Sequence, residues 1–306
     1  MSPRSGLRFW VPVAYVIASA VMVFAVGVPT SHDLVFLWFA VGMAAFSVTD
    51  LRRRVPRLVI EWAPFIAVLF VYDRLRGFAD GLLFQAREFP QLHVEAALFG
   101  KPIPTVWLQS HLWHGANHLH WWDYLTWFIY LTHFFATLVV AAILWTWAHE
   151  KFSRFATMVC VLALTGFATY TLYPAVPPWL AARHGSIGES NRIVGVVWHH
   201  VPIAHYGSLF EKGQNYANNV AAMPSLHAGY ALLVTLYLWR LVPRWTRPLL
   251  ALYPPAMAFA LVYSGEHYIV DCLAGWVYAS GSFVAVNLLF EWRSRRALAL
   301  EPVLAD

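Results

Sequence analysis

The chain has 306 residues, 59% of them hydrophobic, 17% aromatic and only 12% charged. A soluble domain carries about 25% charged residues, so this composition excludes an ordinary soluble globule and indicates a polytopic membrane protein. The formal charge of +5 reads as membrane topology rather than affinity for nucleic acid, because the basic residues gather at the ends of apolar runs.

Arg4 and Arg8 precede an apolar run near 10–29 that is too long for a signal-peptide core, so it is expected to be an uncleaved first span. Shorter runs follow near 34–49 and 58–72, the second weakened by Glu61 and Pro64. Residues 80–122 mix aromatics with His and Pro, as in Gln91-Leu92-His93 and Trp107-Leu108-Gln109. That mixture suits helices lying in the interface plane with Trp at headgroup depth. Long runs occupy 124–147 and 155–173. Residues 174–222 form a long loop rich in Gly, Pro, Asn and His, and a loop of that length between spans is either functional or disordered. Runs near 223–240, 249–264 and 270–290 complete the chain. Measured against about 30 Å of hydrocarbon, the expectation is an all-α integral membrane protein with about eight transmembrane helices, six or seven being alternatives. Its organisation would be N-terminal spans over 1–75, an outer interfacial segment over 76–122, a catalytic core over 123–292 and a cytoplasmic tail over 293–306. Cys160 and Cys272 fall in or beside apolar runs and offer neither a disulfide framework nor metal-ligand spacing.

Charge placement sets the orientation. With eight spans and the N-terminus inside, the inner segments and their edges hold Arg4, Arg8, Arg52, Arg53, Arg54, Arg57, Lys151, Arg154, Arg240, Arg244, Arg247, Arg293, Arg295 and Arg296, which is fourteen of the 21 basic residues. The two much longer outer loops hold the other seven. The positive-inside rule then places both termini in the cytoplasm. The same count puts His227, His267 and Asp271 together at the outer face, whether periplasmic, extracellular or lumenal.

That convergence matters because of what these residues can do. In Ser264-Gly265-Glu266-His267-Tyr268-Ile269-Val270-Asp271 a helical i,i+4 spacing would set His267 and Asp271 on one face. A carboxylate there fixes an imidazole's tautomer and stabilises its charged form, which is how a nucleophile is activated. On spacing alone, an ordinary side-chain pair is the bland alternative. Pro224-Ser225 signals a helix start, whose unpaired N–H groups can hold an anion beside His227, and His227 could protonate a leaving group.

At these positions the chain resembles the type 2 phosphatidic acid phosphatase superfamily, whose second and third motifs read Pro-Ser-Gly-His and Ser-Arg-x5-His-x3-Asp. It is more similar to the inositol phosphorylceramide synthase branch. The matching residues are Met223-Pro224-Ser225-Leu226-His227, His267-Tyr268-Ile269-Val270-Asp271, Pro177-Pro178-Trp179 and Tyr130-Leu131-Thr132-His133, within about residues 125–290. The resemblance implies a phosphatidic acid phosphatase-type helical core and a phosphohistidine mechanism without a cofactor or metal. His267 would attack phosphorus, Asp271 would orient it, His227 would protonate the leaving alkoxide and Ser225 would help bind phosphate. Tyr130, His133 and Trp179 join the substrate-binding set. Two family features are missing. No Lys-x6-Arg-Pro motif precedes Pro177, and Gly265 stands where the third-motif arginine belongs. Arg183, Arg192 and Lys212 in the outer loop are candidates to offset phosphate charge, with Arg192 preferred.

Other signals have plainer readings. His111, His114, His118 and His120 invite a metal site, but only Asp123 is at hand to complete a zinc set, and Asp123 is expected to cap the following helix. Glu266 is set aside because a helical phase points it away from the His267–Asp271 face. His133 lies inside an apolar run, where ionisable groups are functional candidates or hydrogen-bonded partners of another helix. The expected activity is transfer of a phospho-headgroup, such as phosphoinositol, from a phospholipid donor to a lipid-alcohol acceptor. Hydrolysis of a lipid phosphate is the alternative, and a transporter or an inactive scaffold is a rival. Transport fits poorly because the spans are almost free of charge apart from His133. Oligomeric state is not legible.

Overall fold

The computed structural model describes residues 3–26, 32–46, 48, 51–78, 84–201 and 219–300. Among them are twelve α-helices: α1 (Pro3–Val26), α2 (His32–Phe46), α3 (Leu51–Phe78), α4 (Phe89–Phe99), α5 (Pro104–Leu112), α6 (Trp121–Trp147), α7 (His149–Leu172), α8 (Pro178–Arg183), α9 (Ile193–His200), α10 (Leu226–Leu238), α11 (Arg247–Tyr263) and α12 (Ile269–Leu300). A proline opens the first turn of α4, α5, α8 and α11, a position where its missing N–H costs nothing. Asp123 caps α6 from inside the first turn, its Oδ2 accepting from His120 N at 2.7 Å, and its Oδ1 accepts the Tyr263 hydroxyl at 2.5 Å. One carboxylate thus ties the start of α6 to the end of α11.

Each of the eight apolar runs coincides, over its described residues, with a helix. Four of these helices, α1, α6, α7 and α12, are long and apolar enough to cross a membrane. The others fall short individually. Apolar stretches of α2 and α10 are shorter, α11 has 17 residues with Pro254 and Pro255 inside, and α3 carries several charges and two prolines. In α3, Glu61 accepts from Trp145 Nε1 at 2.6 Å and contacts His149 Nε2 at 2.7 Å, so the acidic group that weakened this run has partners on α6 and α7.

The shortness of α10 follows from its place. It packs against α6, α7, α11 and α12, and nine of its thirteen residues are buried. At 1.5 Å per residue it is about 20 Å long, less than a hydrocarbon core, but its neighbours shield it. The largest apolar cluster, with Phe155, Met158, Leu162 and Leu233 fully buried, joins α7 to α10 and extends to α3, α6 and α12. On the far side α3 packs on α7, α2 on α3, and α1 on α2. Tyr15 donates to Trp38 O at 2.9 Å, and Trp38 Nε1 donates to Ser19 Oγ at 2.7 Å across the last pair. Large apolar side chains are exposed along α1, α6 and α12, as on helices that face lipid.

Glycines set the closest helix crossing. A Cβ on Gly275 would collide with the Ser225 carbonyl oxygen, and one on Gly229 would lie 3.1 Å from Gly275 O. Backbone contact between α10 and α12 therefore needs Gly275 and leaves little room for a side chain at 229. Above this crossing Arg87, Ala175 and Ala221 pair as isolated parallel bridges. They join the segment before α4, the α7–α8 connection and the approach to α10.

Candidate active site

Residues 264–268 form a turn between α11 and α12 rather than part of a helix. His267 therefore lies outside α12, and Asp271 sits in its first turn, so the expected i,i+4 helical face is not what joins them. Asp271 instead folds back, as an acidic side chain at the third helical position can. Its Oδ2 accepts from Tyr268 N at 2.9 Å and lies 3.7 Å from His267 Nδ1. Both side chains are buried, Asp271 completely. Neither His267 Nδ1 nor Asp271 Oδ1 has a hydrogen-bond partner among the described residues, and a shift of about 1 Å would make the His–Asp contact a hydrogen bond.

The first N–H groups of α12 are taken up by a residue from a different helix. Glu95 of α4 is fully buried, and its two carboxylate oxygens accept from Ile269 N at 3.0 Å and Val270 N at 3.1 Å. Burial is the largest influence on its carboxyl and raises it above the ordinary glutamate range, against the two backbone bonds that favour the charge.

α10 starts at the same place. Ser225 is its N-cap, fully buried, with Oγ accepting from Ala228 N at 3.3 Å, as the Pro-Ser signal predicts. Ser225 N donates to Asp271 O at 2.9 Å, and Tyr170 of α7 donates to Pro224 O at 2.7 Å. Two turns on opposite sides of one crossing are thus bonded to each other. The His227 and His267 rings have centroids 5.6 Å apart. From α6, Tyr130 stacks on His227 at 4.9 Å and the His133 ring lies 3.8 Å away. Tyr130-x-x-His133 therefore converges on His227.

Arg192 closes the other side. It forms a two-pronged pair with Glu266, Nε to Oε1 at 2.6 Å and Nη2 to Oε2 at 3.2 Å, and its guanidinium lies 5.2 Å from the Trp179 ring centroid. Burial opposes its charge, but the Glu266 carboxylate more than offsets this and holds the guanidinium above its ordinary value. Gly265 explains why the arginine comes from the loop. Its φ is +75°, and a Cβ there would lie 2.8 Å from Asn191 O and 2.9 Å from Ser190 Oγ. A side chain at 265 would need a left-handed backbone and would push away the segment that carries Arg192. Gln109 of α5 pins that segment, donating to Asn191 O and Tyr263 O at 2.9 and 2.8 Å and accepting from Asn191 N at 2.7 Å. Ile193 N donates to Ser264 O, and Trp179 N to Gly265 O.

The structure brings together His227, His267, Asp271, Ser225, Tyr130, His133, Arg192 and Trp179. Arg183 stays at the rim, exposed, with its guanidinium 4.9 Å from the Trp179 centroid, and Lys212 lies outside the described residues. Glu266 was set aside on a helical phase that a turn does not have. Its position beside His267, with an arginine available in the loop, was the usable signal. Glu95 and Gln109 left a fainter one, as polar residues in short, largely apolar helices. His111 contacts Trp107 O and stacks on the Trp107 ring, while His114, His118 and His120 line a cavity of about 420 Å³. Among the described residues no group of three or more His, Cys, Asp or Glu side chains is placed to share a metal ion.

Known proteins resemble this chain in sequence. The chain is 33% identical over 141 residues to a phosphoinositol dihydroceramide synthase of Bacteroides thetaiotaomicron, covering 41% of this chain and 42% of that one. It is 30% identical over 156 residues to an inositol phosphorylceramide synthase catalytic subunit of Saccharomyces cerevisiae, covering 47% and 37%. It is 26% identical over 157 residues to an inositol phosphorylceramide synthase of Candida albicans, covering 47% and 31%. The matches thus span less than half the length of these relatives. No solved structure is significantly similar. The PAP2 superfamily profile matches residues 102–285, which takes in α5 to α12 with both histidine turns and the arginine loop, and so the chain belongs to the PAP2 superfamily.

Proposed function

We propose that the protein is a lipid phosphotransferase that moves a phospho-headgroup, phosphoinositol-like, from a phospholipid to a lipid alcohol through a phosphohistidine at His267. The observation that carries this reading is the buried His267–Asp271 pair facing His227 across 5.6 Å. With Nδ1 turned to Asp271, the Nε2 of His267 attacks phosphorus. An N–P bond forms, the P–O bond to the donor's diacylglycerol oxygen breaks, and His227 gives that oxygen its proton. The acceptor hydroxyl then loses its proton to His227 and attacks phosphorus, and the N–P bond breaks. Asp271 orients His267 and stabilises its charge throughout. Ser225 fixes the helix start below the phosphate, and Arg192 supplies positive charge.

Two features favour transfer over hydrolysis. First, the site is recessed. Tyr130 and His133 reach His227 from nine to twelve residues inside α6, about 14–18 Å along the helix from its first residue, and exclusion of water at such a depth would favour a lipid hydroxyl as acceptor. Second, the charge is modest. The arginine at the site is paired with Glu266, which suits the single negative charge of a phosphodiester. The names of the relatives point the same way. The charge pattern of the sequence supports a site opening to the outer face, with both termini in the cytoplasm.

The test uses purified protein with radiolabelled phosphatidylinositol, a mixture of ceramide and diacylglycerol, and His267→Ala as control. A new labelled lipid, absent with the variant, is the expected result. Water-soluble inositol phosphate alone would establish hydrolysis instead. Full activity in His267→Ala would overturn the mechanism.

A further inference from the structure

The family match begins at residue 102, so α4 lies outside it, yet α4 reaches the centre of the site. Glu95 is the one acidic residue in Phe89–Phe99, it is fully buried, and both of its oxygens are spent on the backbone of residues 269 and 270. Those two N–H groups lie between His267 and Asp271. With Tyr268 N given to Asp271, Glu95 and Asp271 together satisfy three consecutive N–H groups at the start of α12. The surrounding contact is apolar: Leu92 of α4 packs with Ile103, Tyr268 and Val270. A buried carboxylate carries a large desolvation cost unless its hydrogen bonds repay it, so mere filling of space would be met better by an apolar side chain.

We infer that Glu95 is a positioning residue for the transfer reaction, capping α12 from α4 and thereby setting the distance from His267 to Asp271 and the direction of the His267 ring. The inference rests on the proposed role of His267. Glu95 touches no reacting atom. It acts on the peptide units that join the nucleophile to its orienting carboxylate, where a displacement of about 1 Å costs on the order of a hundredfold in rate.

Glu95→Gln and Glu95→Asp in the full chain separate positioning from packing. Gln keeps the volume but sets an NH₂ group against a backbone N–H. Asp keeps both acceptor oxygens on a shorter arm. Positioning predicts that Glu95→Gln lowers kcat about ten- to a hundredfold, the effect of displacing the reacting groups by up to about 1 Å, with KM little changed, and that Glu95→Asp retains more activity than Glu95→Gln. Packing alone predicts the reverse order. Hydrogen exchange of a peptide covering 264–275 gives a readout independent of turnover, and Glu95→Gln should expose residues 269 and 270. Wild-type kcat in Glu95→Gln overturns the inference whether or not exchange rises. If Glu95→Gln does not fold, Glu95→Asp decides alone: lower kcat at constant KM supports the inference, and unchanged kcat overturns it. A wild-type protein that forms no product speaks against the transfer reading, while exchange in Glu95→Gln still reports on the cap.

Discussion

The proposed chemistry turns on a few side chains whose environments differ sharply. His267 and Asp271 are buried together at 3.7 Å, whereas Arg192 enters with its own counter-ion. Asp271→Asn keeps shape and burial but removes the charge that opposes an imidazolium, so turnover should fall about a thousandfold or more with little loss of folded protein, measured by single-turnover phosphoenzyme formation. Glu266→Gln acts in the opposite sense. It frees the Arg192 charge without moving the side chain far, and a site with one more net positive charge should favour dianionic phosphomonoesters. The ratio of phosphatidic acid hydrolysis to phosphatidylinositol turnover should therefore rise several-fold, as expected for a charge-assisted contact, and an unchanged ratio would count against Arg192 as the phosphate clamp. The histidines and Asp271 could be picked out by type and spacing, because few residue types perform these roles. Glu266 offered only its neighbourhood to His267 and an arginine in the loop, since its direction depends on a turn whose geometry follows from Gly265.

At the scale of elements, the site is a crossing of two helix starts held by their neighbours. α10 and α12 meet through Gly229 and Gly275, and Ser225 N bonds to Asp271 O at 2.9 Å. Gly275→Ala puts a methyl group into the Ser225 carbonyl, so the helices must separate. The expected outcome is loss of most activity together with a lower Tm, because overpacking of this kind costs about 1–3 kcal/mol. Retention of both properties would mean that the crossing is looser than its geometry indicates. Apolar runs long enough for a span announced α1, α6, α7 and α12, and the Met223-Pro224-Ser225 turn announced the start of α10. The part played by α4 and α5 was not legible. Their bonds from Glu95 to Ile269 and from Gln109 to Tyr263 join residues 174 and 154 positions apart, and no local period encodes such pairings.

At the scale of the molecule, the question is how a polar reaction is reached from a bilayer. Four helices, α6, α7, α11 and α12, pack around α10, and the site lies at the one end where α10 and α12 begin and α11 ends. α6 starts above this end with Trp121 and Trp122, Trp121 being 71% exposed, as suits a ring at headgroup depth. The basic residues of 148–154, 241–248 and 291–306 cluster at the opposite ends of the same helices. Together these features support the proposed opening of the site toward the outer leaflet, with its reacting groups below the headgroups. In sealed vesicles holding the protein in one orientation, labelled phosphatidylinositol confined to the leaflet on the Trp121 side should give product at once. Donor confined to the other leaflet should give product only as fast as lipid crosses unaided. A cysteine introduced at Trp121 should react with an impermeant thiol reagent from that same side, and one introduced at Arg244 from the other. Immediate turnover of donor from the Arg244 side would reverse the assigned orientation while leaving the His227–His267–Asp271 geometry intact.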